Sequence, residues 1–166
     1  MKKSNILTMI PVFFVLFTSG MYAQTKPGLN QVELLKQFIG NWKCETHKDT
    51  VLNVEIKAYG DGGLEFKLKG VTQGKVCLEL KQLWGYDKKS DKVIVAMLVK
   101  GSPYIILQST WFTDKDKYLQ VPFEFASNPD QADFKVEFDI KSPDIVLRNE
   151  IVNNKSIVIE TYKKVK

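Results

Sequence analysis

Asp133-Phe134-Lys135-Val136-Glu137-Phe138-Asp139-Ile140 alternates strictly between charged and apolar residues. Successive side chains of an extended chain point to opposite faces, so this stretch has one wet face and one dry face. Coiled into a helix, the same apolar residues would scatter around the circumference. The pattern recurs upstream: Leu52, Val54 and Ile56 oppose Asn53, Glu55 and Lys57, and Leu64, Phe66 and Leu68 oppose Glu65, Lys67 and Lys69. Between such runs lie turn signals, among them Gly60-Asp61-Gly62-Gly63, Asp87 to Asp91, Gly101-Ser102-Pro103, Ser127-Asn128-Pro129-Asp130 and Asn153-Asn154. Gly, Pro, Asn, Asp and Ser favour such positions for backbone reasons.

From Asn41 onward these turns divide the chain into ten short runs with no second helix between them. Neighbours joined by short connections pair antiparallel. A two-sheet sandwich is the competing arrangement, but the meander is unbroken and closure removes the exposed edges of a flat sheet. The expectation is an all-β fold, a ten-stranded antiparallel up-and-down β-barrel over residues 41–166. Strands 92–99 and 104–112 are apolar on both faces, so their outer groups lie under a loop or in a contact with a second copy of the chain.

Before the first run, Asn30 stands three residues ahead of Glu33, the spacing of a helix N-cap with a back-reaching carboxylate. Val32, Leu35 and Phe38 or Ile39 follow at helical spacing and Gly40 suits the C-terminal stop, which predicts a short amphipathic helix over 31–38. Two turns are too few to stand alone, so the helix should pack against the open end of the barrel. Residues 24–40 thus read as a lead-in and capping helix.

The first 23 residues read differently. Lys2 and Lys3, an apolar run from Ile6 to Phe17 and the exit Met21-Tyr22-Ala23 have the layout of a secretory signal peptide over 1–23. Pro11 and Thr8 interrupt a run already too short to span a bilayer. The expected location is secreted or periplasmic, with no membrane span in the mature form. Composition agrees with a globular domain, at 44% hydrophobic and 26% charged residues. The net charge of +5 comes from lysines dispersed among acids, and Arg148 is the sole arginine. Nucleic-acid binding wants clustered cations with arginines for phosphates and base edges, so it is not expected.

Phe38-Ile39-Gly40-Asn41-Trp42 resembles the G-x-W start of lipocalins and fatty-acid-binding proteins. From Leu34 to Trp42, through Trp84-Gly85-Tyr86-Asp87 and the meander beyond, the chain is similar to secreted bacterial lipocalin-like domains of unknown function and to nitrobindin-like barrels of the calycin superfamily. The resemblance implies that Trp42, with Gly40, plugs the closed end. It also implies a late-strand Arg or Lys packed across the indole, a role that falls to Arg148. Haem-binding members carry a histidine late in the barrel; here the last runs contain none, and no haem or other cofactor is expected.

The chemistry of the remaining residues points to binding. His47 is the only histidine, and Cys44 with His47 would face opposite sides of a strand, which excludes easy chelation of a metal or a nucleophile–base pair. There is no G-x-S-x-G elbow and no phosphate-cradling loop followed by lysine. An enzyme is not expected. Cys44 and Cys77 could either bridge in an oxidising compartment or remain thiols. A ten-stranded barrel is wider than the eight-stranded kind that side chains alone can fill. Phe66, Trp84, Tyr104, Gln108, Phe112 and Phe138 are the candidate pocket lining, supplying apolar surface and a few polar groups. The expected function is binding of a small hydrophobic or amphipathic ligand. The alternatives are a filled barrel acting as a structural or protein-interaction module, with a homodimer through residues 92–112, and a haem-binding calycin.

Overall fold

The computed structural model describes residues 28–46 and 49–165. The signal peptide expected over 1–23, the lead-in before Gly28 and His47 lie outside the described residues. The chain forms one helical turn, α1 (Gln31–Leu35), a 3-10 turn (Lys36–Phe38), and ten strands: β1 (Gly40–Glu45), β2 (Thr50–Tyr59), β3 (Gly63–Thr72), β4 (Lys75–Asp87), β5 (Lys92–Val99), β6 (Ile105–Asp114), β7 (Lys117–Pro122), β8 (Phe134–Ser142), β9 (Ile145–Val152) and β10 (Lys155–Val165). Each strand pairs antiparallel with its chain neighbours, and β10 pairs with β1 to close the barrel. At that seam Asn41 faces Val165, Trp42 faces Lys164 and Lys43 faces Lys163. No described helix is long and apolar enough to cross a membrane.

The helix begins where the cap predicts. Asn30 Oδ1 accepts a hydrogen bond from the Glu33 amide at 3.1 Å. The Glu33 carboxylate does not reach back; it pairs with Lys36 at 2.6 Å. The second half of the expected 31–38 helix tightens into the 3-10 turn, which carries Phe38 into the barrel end. There Phe38 meets Tyr118 at 5.2 Å between ring centroids, Phe112 at 5.9 Å, Trp84 at 6.0 Å and Phe138 at 6.3 Å. This aromatic floor, together with Leu35, Trp42, Val54 and Ile56, is the main core.

Gln31 fixes the helix to the wall. β5 begins at Lys92 and its pairing with β6 ends at Thr110, so the backbone of Phe112 has no strand partner on that side. The Gln31 amide supplies both missing bonds, accepting from the Phe112 N–H at 2.7 Å and donating to its carbonyl at 3.2 Å.

The outer apolar residues of β5 and β6 divide. Trp111 and Val121 are sealed beneath the β7–β8 connection, residues 123–133, which brings Phe125 and Ala132 onto them. Lys92 Nζ sits 4.0 Å from the Trp111 ring centroid and donates to the Ala126 carbonyl. Burial pushes the Lys92 pKa down. Leu98, Ile105 and Leu107, farther along the same strands, stay exposed.

Candidate functional site

Inward-facing residues between the aromatic floor and the opposite rim enclose a cavity of about 560 Å³. That volume falls within the roughly 300–1,000 Å³ range of small-molecule sites. Leu52, Leu68, Leu80, Met97, Val136 and Phe138 supply apolar wall from β2, β3, β4, β5 and β8. A second, more open groove of about 770 Å³ lies on the outer face of the sheet. Lys67 pairs there with Glu55 and Lys100 with Glu79, while Lys69 and Lys81 leave the groove with a net positive charge.

Two polar stations interrupt the apolar wall of the inner cavity. On β4, β6 and β7, Trp84 Nε1 donates to Gln82 Oε1 at 2.6 Å, Gln82 Nε2 reaches Met97 Sδ at 3.3 Å, and Gln120 Nε2 donates to Gln108 Oε1. Beyond β8 around the wall, on β9 and β10, Arg148 donates to Glu160 Oε2 at 2.9 Å and to Glu150. The Tyr162 hydroxyl also donates to Glu160 Oε2, at 3.0 Å. Burial works against the Arg148 charge, but Tyr162, Glu150 and Glu160 outweigh it and raise its pKa. Burial, followed by the Glu160 carboxylate, pushes Tyr162 well above the ordinary phenol range.

Of the expected lining residues, Phe66, Trp84, Gln108 and Phe138 border the cavity. Trp84 is also part of the floor, stacked between Phe66 at 5.9 Å and Tyr118 at 6.0 Å. Phe112 is fully buried in the floor under the helix, below the cavity rather than along it. Tyr104 does not belong to the site. It precedes β6 in the connection from β5 and is 72% exposed.

No family model matches the chain, and no curated protein matches it in sequence.

Closure of the barrel end corrects the expectation for Arg148. The seam register places Lys164, not Arg148, across Trp42, with Nζ 5.1 Å from the ring centroid. Arg148 sits one strand farther round, directly opposite Glu160, and serves the cavity wall. Gly40 fits its expected role by conformation. Its φ is +138°, and a β-carbon there would stand 2.5 Å from Lys164 Cε. Trp42 Nε1 donates to the Phe38 carbonyl at 2.8 Å, tying the plug to the 3-10 turn, so the helix closes the same end as Trp42 and not the open end.

The cysteines are free thiols rather than a bridge. Cys44 is buried on β1, while Cys77 is exposed on β4 at a register shift against β3, with Thr72 Oγ1 3.3 Å from its sulfur. Burial, then the charge of Glu160, raises the Cys44 pKa and suppresses its thiolate. Among the described residues there is no cluster of His, Cys, Asp and Glu that could hold a metal.

Glu150, Glu160 and Tyr162 were not singled out by the sequence. Along β10 the exposed side chains are Ile157 and Ile159, whereas Glu160 lies inside, so the apolar-inward rule reverses there. The shift in register between Ser156 and Val158 produces the reversal.

Proposed function

We propose that the protein is an exported lipocalin-like carrier that holds one small hydrophobic or amphipathic molecule inside the barrel and performs no covalent chemistry on it. The cavity of about 560 Å³ carries this reading, because its wall is mainly aliphatic and aromatic with hydrogen-bonding groups confined to two stations. Affinity would derive from apolar area withdrawn from water, roughly 25 cal/mol per Å² before the costs of association. Secretion, or residence in the periplasm, rests on the leader-like residues 1–23. Native mass spectrometry and solvent extraction of the purified protein test the reading. A retained apolar molecule is the expected result. A bare polypeptide mass, with no fluorescence gain on addition of Nile red, would overturn it.

A second reading uses the outside of the barrel. Leu83, Leu98, Ile105 and Leu107 are each 46–63% exposed along adjacent strands β4, β5 and β6. A second copy of the chain is the occupant this face suggests. Sedimentation velocity of the wild type and of Ile105→Lys would then show a dimer that the substitution dissociates.

A further inference from the structure

We propose that the cavity selects an apolar molecule with a positively charged head group, an alkyl or aryl amine in chemical class, and discriminates against fatty acids and other apolar anions. The inference rests on the carrier reading and adds to it the sign of the head group.

The charged residues lining the cavity are Arg148, Glu150 and Glu160. One guanidinium therefore faces two carboxylates, leaving a negative charge in excess. Arg148 and Glu160 sit directly opposite each other in the β9–β10 register and would by themselves make a complete strut between the strands. Glu150 is one carboxylate more than such a strut requires.

The one positive charge that an anionic head group could use is already engaged by carboxylates. Arg148, the only arginine, bonds both glutamates, and the Tyr162 hydroxyl is turned to Glu160. Lys164 is held over Trp42 and does not line the cavity. Carboxylate acceptors remain at the same station. Glu160 engages through Oε2 and Glu150 through Oε1, and the other oxygen of each carboxylate has no hydrogen-bond partner among the described residues. An ammonium group has three donors for such oxygens and no acceptor of its own. A carboxylate in the same place would meet like charge where apolar walls weaken solvent screening.

The net charge of the chain makes the proposal discriminating. At +5 for the full sequence, and +3 without Lys2 and Lys3, non-specific attraction would favour anions, so a preference for cations has to originate in the cavity.

Calorimetric titration with dodecylammonium, dodecanol and dodecanoate compares three head groups on one chain length. The expected order places dodecylammonium at least tenfold tighter than dodecanoate, with dodecanol between them. Glu150→Gln, which removes the surplus charge and disturbs only one contact of Arg148, should reduce that preference at least fivefold. Glu160→Gln provides a second variant with the same expected direction. Dodecanoate binding as tightly as dodecylammonium, or a preference unchanged in both variants, would overturn the charge selection while dodecanol binding still supported the carrier. Failure of all three probes to bind would overturn the carrier reading itself.

Discussion

The side-chain amide of Gln31 occupies both backbone hydrogen-bonding groups of Phe112, at 2.7 and 3.2 Å, across 81 residues of sequence. Gln31 and Phe112 are both buried, so water cannot replace either bond. Gln31→Leu keeps the volume of the side chain but orphans a buried N–H and a buried C=O. Each unpaired group costs about 1–3 kcal/mol, and partial relaxation of the helix should hold the total to about 2–4 kcal/mol. Urea unfolding should show that loss, with Gln31→Glu in between because it retains the acceptor.

At the opposite side of the floor, Trp42 fills the seam where the barrel closes. Trp42→Ala should lower stability by about 3–5 kcal/mol, the usual range for a truncated core aromatic. A melting midpoint close to that of the wild type would show that the plug is dispensable.

Tyr118 presents the converse case. Its ring packs against Phe38, Phe112 and Phe138, but its hydroxyl is buried and makes no hydrogen bond of good geometry; burial drives its pKa far above the ordinary phenol range, and Thr110 offsets that only in part. Tyr118→Phe retains the ring and removes the orphaned group, so it should stabilise the protein by about 1 kcal/mol. A destabilisation in the same assay would indicate that the hydroxyl is satisfied in solution.

The two thiols should behave differently. Cys77 is exposed and should react with a thiol reagent in the native protein at neutral pH. Cys44 needs a higher pH to ionise because burial raises its pKa, and its sulfur is shielded as well. One rapid equivalent in the folded state and two after denaturation are expected. Absence of free thiols in unreduced, denatured protein would mean a bridge.

Much of the architecture was legible because one physical rule covers it. Phe134 to Ile140 and Leu64 to Lys69 alternate with the pleat, and the turn residues between runs set strand lengths close to those observed. The partner of Trp42 was not legible. Arg148 stands out for being unique, but the choice between it and Lys164 depends on which strands meet at the seam, a long-range register that no local pattern encodes. Tyr104 illustrates another limit. It sits just before β6 begins, where the chain has left the pleat and parity no longer directs a side chain inward. Trp111 and Val121 look like surface residues by parity and are buried only because residues 123–133 fold back over them. The ionic station went unnoticed for the same kind of reason, since the shift at Ser156 exchanges the inner and outer faces of β10.

The hollow interior is the central claim, and Leu80→Trp tests it most directly. Leu80 lines the cavity without belonging to the buried core of the floor, so a larger side chain there occupies ligand space at little cost to folding. Nile red should bind the wild type at a single saturable site, and Leu80→Trp should weaken that binding at least tenfold while the melting temperature moves by only a few degrees. Equal dye binding by the two proteins would place the site elsewhere and contradict the account.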